Sequence, residues 1–155
     1  METEARGGGR FGARPAREGE MNTREYPSVR DLWEERAALW ADREFLVHED
    51  PDTSKVERYT YARMDREMKA AASMFASLGV ETGDRVGLHM CNRPEFVECF
   101  LALAAIGAVV VPICPASTAA ECALVVEECG IRVLVSEFPE DSGRLEGVAV
   151  VCLDD

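Results

Sequence analysis

Two histidines, six cysteines and a surplus of carboxylates are among the side chains in this sequence able to act as base, nucleophile or metal ligand. His89 and Cys91 stand two apart at the end of an apolar, β-prone run, the edge at which open α/β sheets take ligands. No orienting acid completes a catalytic Cys-His set, and a plain strand end accounts for both residues. The polar stretch Asn92-Arg93-Pro94-Glu95 has the look of a functional loop, yet helix capping explains its Asn and Pro without a ligand. The cysteines, at 91, 99, 114, 122, 129 and 152, form no C-x-x-C pair and sit among Ala, Val and Leu, so they read as small buried hydrophobes. Asp65, Glu67, Glu95, Glu98, Glu121, Glu127 and Glu128 fall on expected helices and read mostly as solvated faces. Asp65 and Lys69 make an i,i+4 pair worth about 0.3 kcal/mol.

The sequence also lacks the common nucleotide cradles, G-x-x-x-x-G-K-[ST] and G-x-G-x-x-G, as well as a nucleophile elbow and an H-E-x-x-H helix. No residue is therefore assigned a catalytic, cofactor-binding or metal-ligating role.

The elements that carry these residues alternate regularly. Residues 1–20 are Gly-, Arg- and Glu-rich without apolar periodicity and read as a disordered leader, or as an upstream extension with Met21 the true start. A helix is expected from Ser28 to Leu39, with Val29, Leu32, Trp33, Ala37 and Trp40 on one stripe. A hairpin should join Phe45-Leu46-Val47 to Glu57-Arg58-Tyr59 through a turn-rich 51–55. The clearest helix runs from Tyr61 to Leu78, with Thr60 at its N-cap and Gly79 as its stop.

Beyond it the pattern predicts a strand Arg85–Met90, a helix Pro94–Ile106, a strand Val109–Ile113, a helix Ala119–Cys129 and a strand Arg132–Ser136. An acidic loop and a last strand Val148–Leu153 follow, before Asp154-Asp155. Thr118 and Glu121 have capping-box spacing, and Gly107 and Gly130 stand where helices stop. Strict alternation implies an α/β fold with a mainly parallel sheet and βαβ crossovers. The Pro94 helix is apolar nearly all round and needs cover on several sides. Val109-Val110-Val111 reads as a buried parallel strand.

At 155 residues, with 47% hydrophobic and 30% charged residues, the chain suffices for at most one domain. A net charge of -12 disfavours nucleic acid and anionic membranes as partners. The window Phe96–Cys114 is long enough to span a membrane and carries only Glu98, but Gly107 and Pro112 divide it into helix and strand. Free cysteines and a start without a secretory pattern point to a reduced, cytoplasmic setting.

Taken in order, Tyr59-Thr60-Tyr61, the segment Gly79 to Val86, Cys91 to Phe96 and Ala105 to Ile113 resemble the adenylate-forming acyl-CoA synthetase family, most nearly its crotonobetaine/carnitine-CoA ligase type. The resemblance covers residues 28 to 153 and rests on the combination of a GDRV turn, an N-x-PEF helix start and a GAVVVP strand. The sequence departs from that pattern at Cys114, where the family usually has Asn, and at Arg63, where an acidic residue would complete a capping box with Thr60. Loss of that box is expected to cost up to about 1 kcal/mol.

The resemblance implies an incomplete N-terminal subdomain of the large adenylate-forming domain, occupying residues 21–155. It implies an enzyme that activates a carboxylic acid with ATP and Mg²⁺ to an acyl-adenylate and passes the acyl group to CoA. The family's phosphate loop, its ribose-binding Asp and its catalytic Lys lie further along than Asp155, so ATP, Mg²⁺ and CoA are not expected to be bound by this segment, which should be inactive alone. Its partner would be the remainder of the synthetase or a complementary chain. The alternative is a non-catalytic interaction module on the same scaffold.

Overall fold

Every helix and strand expected from the sequence forms, and the glycines and prolines punctuate them. A computed structural model describes residues 25–138 and 145–153; the expected 1–20 leader, the middle of the acidic loop and Asp154-Asp155 lie outside those residues. In chain order the elements are α1 (Val29–Leu39), β1 (Glu44–Glu49), β2 (Val56–Thr60), α2 (Tyr61–Ser77), β3 (Arg85–His89), α3 (Pro94–Ile106), β4 (Val109–Ile113), α4 (Ala119–Cys129), β5 (Val133–Ser136) and β6 (Ala149–Cys152). The hairpin β1-β2 is antiparallel. The other four strands make one parallel sheet in the order β4-β3-β5-β6.

Side chains alternate across the sheet and divide its core in two. Val86, Leu88, Val133 and Val135 face α1, α2 and α3, meeting Met64, Met68, Phe75, Ala102 and Leu103. Leu134 and Ile113 join Cys122 and Val126 of α4 on the opposite face. Gly87 lies between Leu134, Ile131 and Ile113, and an added Cβ there would come within 2.7 Å of Leu134 Cδ1. The missing side chain lets the α4 layer close onto β3.

The two sequence segments around Gly83 and Gly107 lock each other. Gly107 ends α3 at φ 85, a left-handed conformation that costs glycine little, and Gly107 and Ala108 donate back to Ala104 and Leu103. Gly79 and Gly130 end α2 and α4 in the same way. The Gly107 carbonyl then accepts from Gly83 N–H at 2.9 Å, Thr82 Oγ1 donates to the Ile106 carbonyl at 2.8 Å, and Val109 N–H donates to the Asp84 carbonyl at 2.7 Å. Asp84 itself accepts from Glu81 N–H at 2.9 Å and from Arg132 at 2.6 Å. Those bonds hold its carboxyl below the usual carboxylate range. A turn and a helix end that look like separate motifs thus form one structural joint.

Four expectations are corrected. Among the described residues β4 is an edge strand, with Val109 48% exposed and Pro112 exposed, because its β-branched run has a described sheet neighbour on one side only. Proline is tolerated there, since an edge strand leaves half its donors unpaired. The six cysteines are not uniformly buried: Cys99 and Cys122 are, whereas Cys91, Cys114 and Cys152 are exposed at strand ends. Of the α1 stripe only Trp33 is buried, and Val29 and Leu32 remain exposed. Asp65, Glu67, Glu95 and Glu98 are partly buried rather than solvated: Asp65 accepts from Trp33 of α1, Glu95 is held by Arg93, and Glu98 of α3 lies near Glu67 of α2.

The capping expectations divide. Thr118 and Glu121 form the complete reciprocal box at the start of α4. At α2 the Thr60 side chain still accepts from Arg63 N–H at 3.2 Å, so half of that box survives. The Arg63 guanidinium instead reaches the Arg58 carbonyl and lies 3.7 Å over the Tyr59 ring. A cation-π contact of this kind is worth about 0.5–1 kcal/mol, which offsets the lost carboxylate.

Candidate functional site

In a parallel sheet the place to look for a ligand is where the strand order turns back, outside the C-terminal strand ends. Here that place is the boundary between β3 and β5: β3 leads to β4 on one side, and β5 pairs with it on the other, bringing His89 into register with Ser136.

The chain itself fills this crevice. One carboxylate oxygen of Glu137 accepts from Cys91 N–H at 2.8 Å, and the other accepts from Arg93 Nη1 at 3.1 Å. The Glu137 N–H also donates to the His89 carbonyl at 3.0 Å. Arg93 is held a second time by Glu95, from Nε to Oε2 at 2.8 Å. Burial opposes ionisation of Glu95, but the guanidinium wins and keeps its carboxyl below the ordinary range. Two groups suited to an anion, the Cys91 N–H and Arg93, are thereby already satisfied internally.

Outside this tie lies an open cleft of about 400 Å³, between the Cys91–Glu95 loop and the hairpin residues His48, Asp50 and Tyr59. Acidic side chains, among them Asp50, Glu57, Glu95 and Glu137, outnumber Lys55 and Arg93 along its wall. The Tyr59 hydroxyl donates to Glu57 at 3.0 Å, and burial together with that carboxylate pushes the phenol up to about 12. It stays a neutral donor at physiological pH. Phosphate groups would meet net negative charge in this cleft, and neither of the two common glycine-rich phosphate motifs occurs in the sequence to counter it.

His89 and Cys91 do not form a dyad. His89 is fully buried, its Nδ1 lies 3.3 Å from Ser136 Oγ, and its ring packs on Phe138 at 5.1 Å. Ser136 Oγ also accepts from Phe138 N–H at 3.0 Å, and the buried Nε2 of His89 has no hydrogen-bond partner among the described residues. Cys91 lies beyond the strand end with its thiol pushed up by burial and by Glu137, the opposite of the depressed value a nucleophilic thiolate needs. Cys99, inside the helical layer, is driven by burial to about 12. Among the described residues no group of three or more His, Cys, Asp or Glu is arranged to hold a metal ion. No helix among them is long and apolar enough to cross a membrane.

Sequence reasoning missed Glu137, because its role depends on the parallel pairing of β3 with β5 and no local pattern marks it. It also missed Glu98, which burial, followed by its acidic neighbours Glu95 and Glu67, raises to about 7. The spacing of Glu95 and Glu98, three apart on one helix, was the available signal.

A family model described as "AMP-binding enzyme" matches residues 33–154. The crotonobetaine/carnitine–CoA ligase of Salmonella arizonae is 36% identical over 111 residues, 72% of this chain and 21% of the ligase. That of Salmonella typhimurium is 35% identical over 109 residues, 70% of this chain and 21% of the ligase. Among solved structures, the N-terminal domain of FACL13 from Mycobacterium tuberculosis superposes with a TM-score of 0.71 at 28% identity, covering 82% of this chain and 34% of that one. The N-terminal subdomain of Klebsiella oxytoca NpsA gives 0.70 at 25% identity, covering 80% and 31%. This chain therefore spans about a fifth of the curated relatives it matches and about a third of those solved structures.

Proposed function

The chain belongs to the AMP-binding enzyme family, and from that premise we propose that it is the N-terminal part of a cytoplasmic acid–thiol ligase. The full enzyme would join a carboxylate to the α-phosphate of ATP, releasing pyrophosphate, and then pass the acyl group to the thiol of CoA. Relatives that act as crotonobetaine/carnitine–CoA ligases make a small carboxylate the favoured substrate class. The observation that carries this reading is the continuous match of residues 33–154, which encloses the mutually locked Gly83 and Gly107 segments.

In this reading the segment does not itself hold the phosphates of ATP. The switch-point crevice is occupied by Glu137, its one guanidinium is bound by two carboxylates, and the adjoining cleft is acidic. The segment's contribution is therefore scaffolding: it sets the parallel sheet and two helical layers on which the nucleotide-binding parts of the domain would be built.

The test is carboxylate-dependent ATP/pyrophosphate exchange with crotonobetaine or carnitine as the acid. The 155-residue chain alone should give none. A chimera in which it replaces the matched segment of the Salmonella typhimurium ligase should give exchange. Exchange by the isolated chain overturns the scaffold assignment, and a folded chimera without exchange overturns the ligase reading.

A further inference from the structure

The apolar stripe that the sequence places on α1 is only partly absorbed by the core. Trp33 is buried, but Val29, Leu32 and Trp40 line an open groove of about 350 Å³, closed on its other sides by Phe45 of the hairpin, Tyr61 at the start of α2 and Leu101 of α3. Its walls are largely aromatic. The Tyr61 ring centre lies 5.7 Å from that of Trp33, 5.7 Å from that of Trp40 and 5.0 Å from that of Phe45. The Trp33 N–H is spent on Asp65, so this indole brings the groove an apolar ring and no unpaired donor.

One lining side chain is charged. Arg36 stands on the groove wall with its guanidinium 4.7 Å from the centre of the Trp40 ring, and Arg43 approaches the same ring at 5.4 Å. Arg36 donates to the Tyr26 hydroxyl at 2.9 Å, and that hydroxyl donates in turn to Glu35 at 3.0 Å. Neither guanidinium makes an ion pair among the described residues, whereas Arg58, Arg63, Arg93 and Arg132 each hold a carboxylate. Arg30, Arg66 and Arg85 are bound to backbone carbonyls instead. A chain with 29 acidic residues against 17 Lys and Arg thus leaves two guanidinium groups beside its aromatic groove without a carboxylate. A guanidinium lying over a ring keeps its N–H edge available to an anion.

We propose that this groove is a binding site for a small amphipathic monoanion, its apolar tail laid on the Trp33, Trp40 and Tyr61 rings and its carboxylate on Arg36. The volume is that of a small-molecule site. A lipid bilayer is disfavoured as the occupant, because the surface is concave and the exposed polar positions of α1 include Asp31 and Glu34, where a helix lying on a membrane carries Lys and Arg. The groove shares no lining residue with the acidic cleft beside Glu137, and the inference does not depend on the ligase reading.

Trp33 and Trp40 are the two tryptophans of the chain, so intrinsic fluorescence reports on the groove directly. The full 155-residue chain is titrated with octanoate, with octanol as the same tail without the charge, and with acetate as the charge without the tail. Octanoate should change the emission saturably below its micelle concentration, octanol should bind about tenfold more weakly, and acetate should have no effect. Arg36→Gln should weaken octanoate about tenfold and leave octanol unchanged. Leu32→Asp, which charges an exposed part of the apolar wall, should abolish both, and Arg66→Gln, whose guanidinium lies outside the groove, should alter neither. Circular dichroism checks the fold of each variant, and the comparison of octanoate with octanol decides the matter on the unaltered chain alone. Equal affinity for octanoate and octanol, or octanoate binding by folded Arg36→Gln as tight as that of the unaltered chain, overturns the proposal. A response confined to micelles or to phosphatidylglycerol vesicles, or no saturable response at all, overturns it equally.

Discussion

The indole Nε1 of Trp33 on α1 donates to Oδ1 of Asp65 on α2 at 3.0 Å, and the other oxygen of that carboxylate accepts from Lys69 at 2.6 Å. One side chain therefore serves a buried donor and an exposed cation, and the two bonds differ in weight. Trp33 is only 5% exposed and packed against Phe45 and Tyr61, so its N–H has no water to fall back on. Lys69 is 65% exposed, and a solvated i,i+4 pair is worth about 0.2–0.5 kcal/mol. Asp65→Ala should cost about 1–3 kcal/mol in urea unfolding, through the stranded indole, and Lys69→Ala under about 0.5. Equal losses would show that the α1–α2 tie carries no weight of its own.

Gly87→Ala tests the closure of the α4 layer on the sheet. The added Cβ would lie 2.7 Å from Leu134 Cδ1 and 3.3 Å from Ile131 Cδ1, too close for either to stay in place. Overpacking of this type costs about 1–3 kcal/mol. Leu134→Val shortens the obstructing side chain, so the double variant should lose less than the sum of the two single losses. Strict additivity in that cycle would mean that the two sites do not touch.

At the start of α4, Thr118→Ala removes a complete capping box and should cost about 1 kcal/mol. Arg63→Glu at the start of α2 would rebuild the missing half of a box but forfeit the guanidinium over Tyr59 and its pairing with Glu57. The two effects are similar in size, so its net change should stay within about 0.5 kcal/mol. A gain of a full kilocalorie would show that the cation-π contact does not compensate.

Local signals made most of this fold legible. The Met64, Met68 and Phe75 spacing placed α2 on the core, and the glycines at 79, 107 and 130 each mark a helix end with a left-handed residue. The pattern misled where the outcome depends on which strands become neighbours. Val109-Val110-Val111 reads like a central strand because hydrophobicity reports affinity for cover, not its presence, and the outward-facing Pro112 was the contrary signal. The candidate site was less legible still. Glu137 joins Cys91 and Arg93 only because β5 lies beside β3, and nothing in the residues flanking Glu137 encodes that adjacency.

Glu98 makes the stability of the fold depend on pH. Burial beneath the α2–α3 contact raises its carboxyl from 4.5 to about 7; Glu95 on its own helix and Glu67 on α2 add to this, and Arg63 and Arg93 oppose it. A carboxyl that holds its proton more tightly when folded destabilises the native state wherever it must ionise. Below pH 4.5, the unfolded value, both states are protonated and no penalty exists. The penalty grows as pH rises toward about 7, where the folded state also ionises, and is constant above it. Because the site is partly solvated, it should amount to roughly 1–2 kcal/mol once screening is allowed for. Asp84 and Glu95, whose carboxyls are lowered, contribute with the opposite sign, so the wild-type profile alone would mix these effects. Glu98→Gln isolates the one group: it should match wild type near pH 4 and exceed it by that margin at pH 8. Identical stabilities at pH 8 would mean that Glu98 is solvated in the folded chain.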